Sequence, residues 1–325
     1  MGVLSSSRTL MILCSFILVA FSSSYATGSK VTFINVLDYG AVGDGYIDDS
    51  QIYGTLKAPN DTSIWEGLDA TIWLAFENVN GLTVSGSGTI DGQGSNWWAQ
   101  SCRYNNSKDC TKWAPTEIKF ISCQNSRLKD LHFINSPNTH ILIQYCNMFW
   151  VSNLNIASPK TSPNTDGIHI DGSTGVFIDD SIIQSGDDCI SIGDHTSNVQ
   201  INNINCGPGH GVSIGSLGKG GSSAQVENIY VNNVNFSETT NGVRIKTWQG
   251  ASGYARDITF RQINFNNVQY PIIIDQYYCD HQHPSSCTLY QCSWNDSRSD
   301  STRCFMFDPR LRLCLAILAD NLVDS

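Results

Sequence analysis

The sequence predicts an all-β protein folded as a right-handed parallel β-helix, a solenoid in which each coil of short strands stacks on the last. A unit of two short alternating apolar strands, a polar turn and a loop recurs at a period of roughly 22 to 30 residues. Asparagine recurs in these turns, and helical patterns are nearly absent between the strands, which leaves no room for crossover helices. This repetition favours one elongated domain, although 325 residues would otherwise suggest two.

The first segment, residues 1–26, has the parts of a secretory signal peptide in their usual order. Arg8 precedes an apolar run from Leu10 to Phe21, and small residues lead to Ala26. The run is too short to span a membrane, and no later run in the sequence is as long. We therefore expect cleavage near Ala26 and a secreted, extracellular protein with no membrane association.

The solenoid is predicted to occupy residues 27–291. It opens with a strand at Val31–Val36 and a glycine-rich turn at Asp38–Gly45. The asparagines fit stacked turns in which each side chain bonds backbone groups of a neighbouring coil. A leucine-rich-repeat horseshoe needs a leucine and asparagine spacing that is absent, whereas an antiparallel sandwich stays open on strand count. The repeated strands are Leu82–Val84, Leu128–Phe133, Val151–Ile156, Val176–Ile178, Val199–Ile204, Ile229–Val234 and Ile258–Ile263.

The last segment, residues 292–325, is an atypical tail without the repeat. A polar run at Ser297–Ser301 precedes Arg310–Ala319, which we interpret as a short amphipathic or apolar helix. The tail is either a cap for the column or the product of mis-splicing or a frame shift.

Charge and cysteine content limit the classes of function. A formal charge of −10 argues against a nucleic-acid partner, because such binding depends on cations that contact phosphates. Cys14 lies in the signal segment, and the other 11 of the 12 cysteines would be exported through an oxidising compartment, where disulfides persist. Because 11 is odd, at least one thiol has no partner within the chain. Glycosylation acceptor motifs begin at Asn60, Asn105, Asn235 and Asn295.

Four groups of polar residues, spaced about one coil apart along the chain, predict a functional site. Stacked repeats would carry these groups to one neighbourhood, since the steps between them are about 21, 22 and 34 residues. The groups are Asn164-Thr165-Asp166, Gly186-Asp187-Asp188, Gly209-His210-Gly211 and Arg244-Ile245-Lys246.

The carboxylates in these groups suit acid/base chemistry. Asp166, Asp187 and Asp188 on adjacent coils would lie within several ångströms, so at least one pKa should be raised and one proton held. Glycoside hydrolysis requires this arrangement: a carboxylic acid protonates the leaving oxygen while a carboxylate activates water. His210, one coil further, would hold or tune that proton.

The cations favour an acidic substrate. Arg244 and Lys246 alternate on a strand, so both would project to one face and bind a substrate carboxylate. Each group alone also has an ordinary structural interpretation, since paired aspartates such as Asp179-Asp180 are common in exposed turns. Their alignment on consecutive coils is what favours a site.

With these motifs in view, the chain from about Val31 to about Cys287 resembles the polygalacturonases of glycoside hydrolase family 28, and closely resembles the plant members. Jointly the motifs are highly specific. They are Ser162-Pro163-Asn164-Thr165-Asp166-Gly167, Gly186-Asp187-Asp188-Cys189, Cys206-Gly207-Pro208-Gly209-His210-Gly211 and Arg244-Ile245-Lys246-Thr247-Trp248.

The resemblance implies roles for these residues in the hydrolysis, with inversion, of α-1,4 bonds between galacturonic acid residues of pectin. By it, Asp187 is the general acid, Asp166 and Asp188 activate the water, and His210 supports the acid. It also implies that galacturonate is bound by Arg244, Lys246, Asn164 and Tyr278. We expect no metal, no cofactor and a monomer that acts in the cell wall.

The resemblance further implies disulfides and leaves the aromatics undecided. By it, Cys189 pairs with Cys206. Cys102 with Cys110 and Cys279 with Cys287 are expected pairs because each would close a short loop, although spacing alone does not fix connectivity. Trp97, Trp98 and Trp113 either stack on sugar or pack in the core. Trp248 is interpreted as structural and His169 as not catalytic.

Both ends depart from the family's pattern. Relatives place an amphipathic helix and one or more coils, about fifty residues in all, after Asp48–Gln51, and continue for several coils beyond Gln291, so we expect a solenoid truncated at both ends. The rival hypothesis is therefore a truncated β-helix that binds pectin without cleaving it or has no activity. A rhamnogalacturonan hydrolase or a pectate lyase fits less well, and a lyase should show calcium-binding carboxylates and an arginine base.

Overall fold

The structure is a computed structural model that describes residues 50–104, 110 and 113–278 with their side chains. Outside these ranges it describes only the backbone of the first two and the last two strands in the following list. The strands are β1 (Phe16–Leu18), β2 (Phe33–Asn35), β3 (Ser50–Gln51), β4 (Thr55–Lys57), β5 (Ile72–Glu77), β6 (Thr83–Ser85), β7 (Thr89–Asp91), β8 (Thr116–Ile121), β9 (Gln124–Lys129), β10 (His132–Ile134), β11 (Ile141–Gln144), β12 (Asn147–Ser152), β13 (Asn155–Ala157), β14 (Ile168–Asp171), β15 (Thr174–Gln184), β16 (Ile190–Ile192), β17 (Thr196–Cys206), β18 (Val212–Leu217), β19 (Ser223–Ser237), β20 (Asn241–Trp248), β21 (Ser252–Asn266), β22 (Tyr270–Tyr278), β23 (Arg303–Asp308) and β24 (Leu311–Ile317).

Two long sheets form the column. The larger has 14 strands, in the order β23-β24-β21-β19-β17-β15-β12-β9-β6-β3, with β4, β7, β10 and β13 on a side branch. The smaller has eight strands, in the order β22-β20-β18-β16-β14-β11-β8-β5. Neighbours from β3 to β22 pair in parallel, one coil apart, so that Ile141 of β11, for example, lies opposite Ile168 of β14. The predicted right-handed parallel β-helix is confirmed, and the antiparallel sandwich is excluded.

Helices contribute little to the fold. The part of the chain described with side chains contains one short α-helix, α1 (Ser95–Ala99), and two 3₁₀ turns, Thr62–Trp65 and Lys219–Gly221. No helix among the described residues is long and apolar enough to cross a membrane.

The inward side chains stack in rows along the column. Within the small sheet, Ile118, Ile141, Ile168, Ile190 and Val212 occupy one register position on successive coils, and each is at most 1 % exposed. Each such side chain stabilises the fold by about 1.5–3 kcal/mol through removal of apolar area from water. Because every coil supplies one member of the row, the core also fixes the register of the polar residues beside it.

Asparagine rows occupy a corner of the column. Asn203 donates from Nδ2 to Asp180 Oδ1 at 2.9 Å, and Asn233 donates to Asn203 Oδ1 at 2.8 Å. All three have positive φ, which asparagine and aspartate tolerate better than most residues. The structural interpretation of the asparagines therefore holds, but these bonds join side chain to side chain and not, as we expected, side chain to backbone.

The tail differs from the predicted helix. Leu311–Ile317 forms strand β24, which pairs in parallel with β21, and β23 pairs antiparallel with β24. The segment reads Leu-Arg-Leu-Cys-Leu-Ala-Ile, and alternation of this kind has the period of a strand and not of a helix. The predicted pair Cys279–Cys287 and the signal peptide's side chains lie outside the described residues, so both stay predictions.

A buried acid and histidine lie inside the column below the cleft. Glu117 Oε2 is 2.5 Å from His140 Nδ1, both side chains are fully buried, and His140 Nε2 is 2.8 Å from Ser158 Oγ. Burial raises the pKa of Glu117 well above its usual value, and the charge of Asp91 adds to this. Burial also lowers the pKa of His140 to about 3. The folded pair therefore holds one proton over a wide pH range.

Replacing Glu117 by Gln should make the fold sensitive to acid. Unfolded Glu and His titrate near about 4.3 and about 6.5, so the unfolded wild-type pair also carries one proton between these values, and the pair adds no pH dependence there. The stability that the wild-type pair contributes falls only when the pH is below about 4.3 or above about 6.5. In Glu117→Gln the neutral His140 stands alone, and its lowered pKa means that stability is lost as pH falls below about 6.5, by about 1.4 kcal/mol per pH unit.

Urea unfolding of both chains at about pH 6.5 and about pH 5 measures this difference, which should reach about 2 kcal/mol. Glu227→Gln, which removes a carboxylate on the outer surface, is the control and should follow the wild type. Parallel pH profiles for Glu117→Gln and the wild type would contradict the shared proton.

Candidate active site

The four predicted groups meet where strands of the small sheet begin. Asp166, Asp188 and His210 each stand two residues before a position in one register row, formed by Ile168 of β14, Ile190 of β16 and Val212 of β18. Arg244 lies on β20, opposite Ser213 of β18. The repeat thus brings the carboxylates, the histidine and the cations together from four coils.

Asp187 contacts a histidine and an arginine and is partly open to solvent. His210 Nδ1 lies 3.0 Å from Asp187 Oδ1, and Arg103 Nη1 lies 2.8 Å from Asp187 Oδ2. The Asp187 side chain is 13 % exposed. Both of its carboxylate oxygens are therefore paired with a possible cation while still facing the cleft.

Asp188, the next residue, is buried and held by the predicted cations. Lys246 Nζ donates to Asp188 Oδ2 at 3.0 Å, and Arg244 Nη2 donates to Oδ1 at 2.7 Å. Ser213 Oγ also donates to Oδ1, at 2.7 Å, and itself accepts from Arg244 Nε at 3.0 Å. Arg244 and Lys246 share one face, as their alternation predicts, and they neutralise Asp188.

Asp166 joins a chain of hydrogen bonds on the cleft floor. Ser191 Oγ donates to Asp166 Oδ2 at 2.6 Å, and His169 Nδ1 lies 2.7 Å from Ser191 Oγ. Since the single hydroxyl proton of Ser191 goes to Asp166, the imidazole of His169 donates to Ser191. His169, interpreted as not catalytic, therefore sits two bonds from a predicted site residue.

The carboxyl groups of Asp166, Asp187 and Asp188 differ in their affinity for a proton. Burial raises the pKa of Asp166 well above its usual value, and the charges of Asp187 and Asp188 raise it further. Burial opposes ionisation of Asp187, but the hydrogen bond and charge of His210 and the charge of Arg103 outweigh it and lower its pKa. Burial is likewise outweighed at Asp188 by Lys246 and Arg244, which lower its pKa. The expected held proton thus lies on Asp166 in the free site.

Tight turns position these carboxylates. Gly186 N donates to Thr165 Oγ1 at 2.9 Å, which joins the Asp166 turn to the Asp187 turn. A Cβ atom at Gly186 would lie 1.9 Å from Ser162 O, so only glycine permits this approach. Cys189 and Cys206 form the disulfide beside the site, with their Cα atoms 5.9 Å apart, as the resemblance implied.

The remaining predicted residues line the cleft at different depths. Asn164 is exposed, with positive φ, and its Oδ1 accepts from Arg103 at 2.9 Å. Tyr278 lies against the predicted cations, with its ring centroid 5.4 Å from Lys246 Nζ. Its ring also packs edge-on against Trp248 at 5.4 Å, which agrees with a structural role for that tryptophan.

The tryptophans of the preceding loop separate into core and surface. Trp97 is buried and packs edge-on against Trp65 at 5.5 Å, so it belongs to the core. Trp98 is half-buried and donates to Ser136 O at 3.0 Å, whereas Trp113 is 68 % exposed.

Arg103 is the site residue that sequence reasoning missed. It follows Cys102 in a loop that the predicted disulfide Cys102–Cys110 closes, and it reaches both Asn164 and Asp187 across coils. No local pattern marks it, because its partners lie far along the chain. The disulfide loop before the catalytic motifs was the available signal.

Metal binding at this site has little support in its contacts. Asp187, Asp188 and His210 present ligand atoms within 4.8 Å of one another, the one such group found in the described part of the chain. Both oxygens of Asp188, however, already bond side-chain cations. That set does not fit a metal centre, and the expectation of no cofactor stays a prediction.

Comparison with known proteins identifies relatives of this chain. The family model described as "Glycosyl hydrolases family 28" matches residues 21–298. A probable polygalacturonase of Arabidopsis thaliana is 51 % identical over 234 residues, which cover 72 % of this chain and 52 % of that protein. A polygalacturonase of Malus domestica is 46 % identical over 71 % of this chain and 50 % of its own. The chain therefore spans about half the length of the curated relatives it matches.

Solved structures show the same fold. An endo-xylogalacturonan hydrolase from Aspergillus tubingensis aligns with a TM-score of 0.64 and 29 % identity, covering 73 % of this chain and 65 % of that one. A polygalacturonase from Erwinia carotovora aligns with a TM-score of 0.63 and 27 % identity, covering 70 % and 67 %.

Proposed function

The chain belongs to the glycosyl hydrolases of family 28, and from that premise we propose that it hydrolyses α-1,4 bonds between galacturonic acid residues of de-esterified pectin. Its place of action is the plant cell wall, reached by export, where it works as a monomer on the polysaccharide without a metal or cofactor. Relatives that share this arrangement include plant polygalacturonases.

The observation that carries the proposal is that carboxyl groups with different pKa values lie together beside cations. Asp188 is ionised and held by Arg244 and Lys246, while Asp187 faces the cleft beside His210. Carboxyl groups whose surroundings separate their pKa values are the usual means of assigning acid and base roles.

Hydrolysis at this site proceeds by one displacement. Asp166 and Asp188 hold a water molecule, and Asp188, which is ionised in the free site, accepts its proton as the hydroxyl oxygen bonds the anomeric carbon. The bond between that carbon and the leaving oxygen breaks, and Asp187 gives its proton to the oxygen. One water is consumed, one reducing end forms, and the anomeric configuration is inverted.

Recognition of the sugar acid falls to the cations. Arg244 and Lys246 border the cleft, with Asn164 and Tyr278 on its sides. A guanidinium and an ammonium group suit a carboxylate, and a methyl-esterified sugar offers them no charge.

Release of reducing ends by the secreted full chain tests the proposal. Polygalacturonate should be cleaved at mildly acidic pH, and fully methyl-esterified pectin should not. A folded chain, checked by circular dichroism, that binds polygalacturonate but releases no ends would support the non-catalytic rival and overturn the proposal. Unsaturated products would instead indicate a lyase.

A further inference from the structure

We propose that Arg103 is a positioning residue that changes partner during the reaction, from Asp187 in the free enzyme to a substrate carboxylate in the complex. The inference rests on the proposed function and adds to it a residue and a step: substrate binding itself prepares the general acid.

The position of Arg103 suits an exchangeable contact. Its Nη1 lies 2.8 Å from Asp187 Oδ2 and 2.9 Å from Asn164 Oδ1, so the guanidinium covers the acid from the solvent side. Cys102, the preceding residue, is bonded to Cys110, so a covalent link lies directly beside Arg103 in the chain. Arg103 is thus fixed at its backbone and open at its tip.

The free site holds the acid in the wrong form for catalysis. A general acid must carry a proton, but the cations beside Asp187 favour its ionised form. At least one of them has to leave before the acid takes up a proton. The charged and titratable groups facing Asp187 are His210, Arg103, Lys246, Arg244, Asp166 and Asp188.

Exposure distinguishes Arg103 from the other cations. Its side chain is 37 % exposed, against 24 % for His210 and 8 % for Lys246. Lys246 is also bonded to the buried Asp188, and breaking that pair would leave a buried charge with fewer partners. Arg103 is therefore the cation that an incoming anion removes from Asp187 most easily.

The substrate supplies such an anion on every sugar. A guanidinium binds carboxylates through paired hydrogen bonds, so a galacturonate beside the scissile bond competes with Asp187 for Arg103. Asp187 then loses a cation and gains a neighbouring anion, and both changes raise its affinity for a proton. The proton comes from solvent and is later given to the leaving oxygen. A methyl ester at that sugar would not trigger the exchange.

Calorimetry of digalacturonate binding tests the exchange without relying on catalysis. Binding measured at about pH 5 in two buffers of different ionisation enthalpy gives the number of protons taken up. We expect uptake of up to about half a proton for the wild type, the most that a shift of about one pH unit allows, and close to none for Arg103→Gln, in which Asp187 has already lost that cation. Equal uptake by both chains, or no binding by the wild type, would overturn the proposal.

Kinetics provide a second readout that a purely structural role would not move. In the wild type, the apparent pKa of the group that must be protonated should be about one unit higher in the pH profile of kcat than in that of kcat/KM. In Arg103→Gln the two apparent pKa values should coincide. KM should rise about tenfold, with partial recovery in Arg103→Lys. Arg256→Gln, which loses an exposed partner of Glu227, is the matched control and should behave as the wild type.

The outcomes separate this inference from the proposed function. A wild-type chain that cleaves nothing defeats the proposed function, yet the calorimetric comparison still decides whether Arg103 exchanges partners. A wild-type chain that cleaves polygalacturonate, with Arg103→Gln unchanged in KM, pH limbs and proton uptake, defeats the inference alone.

Discussion

Replacing Asp187 by Asn is expected to lower kcat on polygalacturonate by about 10²- to 10⁴-fold, the range for loss of a general acid. The amide has nearly the same shape as the carboxyl group but cannot give a proton to the leaving oxygen. KM should change little, because Arg244 and Lys246, the proposed ligands of the sugar acid, stay in place. Initial rates of reducing-end release at several substrate concentrations measure both constants.

A second pair of neighbouring aspartates, Asp179 and Asp180, provides a matched control. Asp179 lies on β15 of the larger sheet, where it accepts from Asn202 Nδ2 at 3.0 Å in a row of stacked side chains. Asp179→Asn should retain wild-type kcat. If Asp187→Asn kept more than about a tenth of wild-type kcat, the acid would be another residue, and Asp166 with its raised pKa would be the next one to test.

Replacing Lys246 by Met should reduce the free energy of unfolding by about 3 kcal/mol, because it leaves the buried Asp188 with fewer partners. The side chains are 8 % and 2 % exposed, so solvent does not screen the loss. Because the cations lower the pKa of Asp188, their stabilisation is present above the unfolded pKa of about 3.9 and is lost as pH falls through the folded value. The difference between the two chains should therefore be largest at about pH 6 and smaller at about pH 3.

Urea unfolding of Lys246→Met and the wild type at both pH values measures this effect. Arg256→Met breaks the exposed pair with Glu227 and should show no measurable change, since exposed pairs contribute little. The same loss in both variants, or a loss at about pH 3 as large as that at about pH 6, would contradict a stabilising role for the buried pair.

The sequence predicted the column and the meeting of its motifs because both follow from the repeat. A residue separated from another by one coil must lie beside it, so Asp166, Asp187 and His210 could be placed together from spacing alone. The tail was misread because a short apolar run does not distinguish a helix from a strand, although the alternation in Leu311–Ile317 favoured the strand.

Contacts that cross coils from loops could not be predicted in this way. Arg103 reaches Asp187 from a loop whose path depends on a disulfide and on packing, neither of which has a periodic signal. The distribution of protons was equally inaccessible, since it depends on the burial of each carboxyl group and on which cation lies nearest. Asp188 and Asp187 are neighbours in sequence, yet one is buried between two cations and the other faces the cleft.

The proton nuclear magnetic resonance spectrum of the first product formed from polygalacturonate tests the central claim most directly. An acid and a base acting through one water predict a saturated oligogalacturonate whose new reducing end has the β configuration, which later equilibrates with the α form. A first product with the α configuration, or with an unsaturated end, would contradict the mechanism built on Asp187, Asp166 and Asp188.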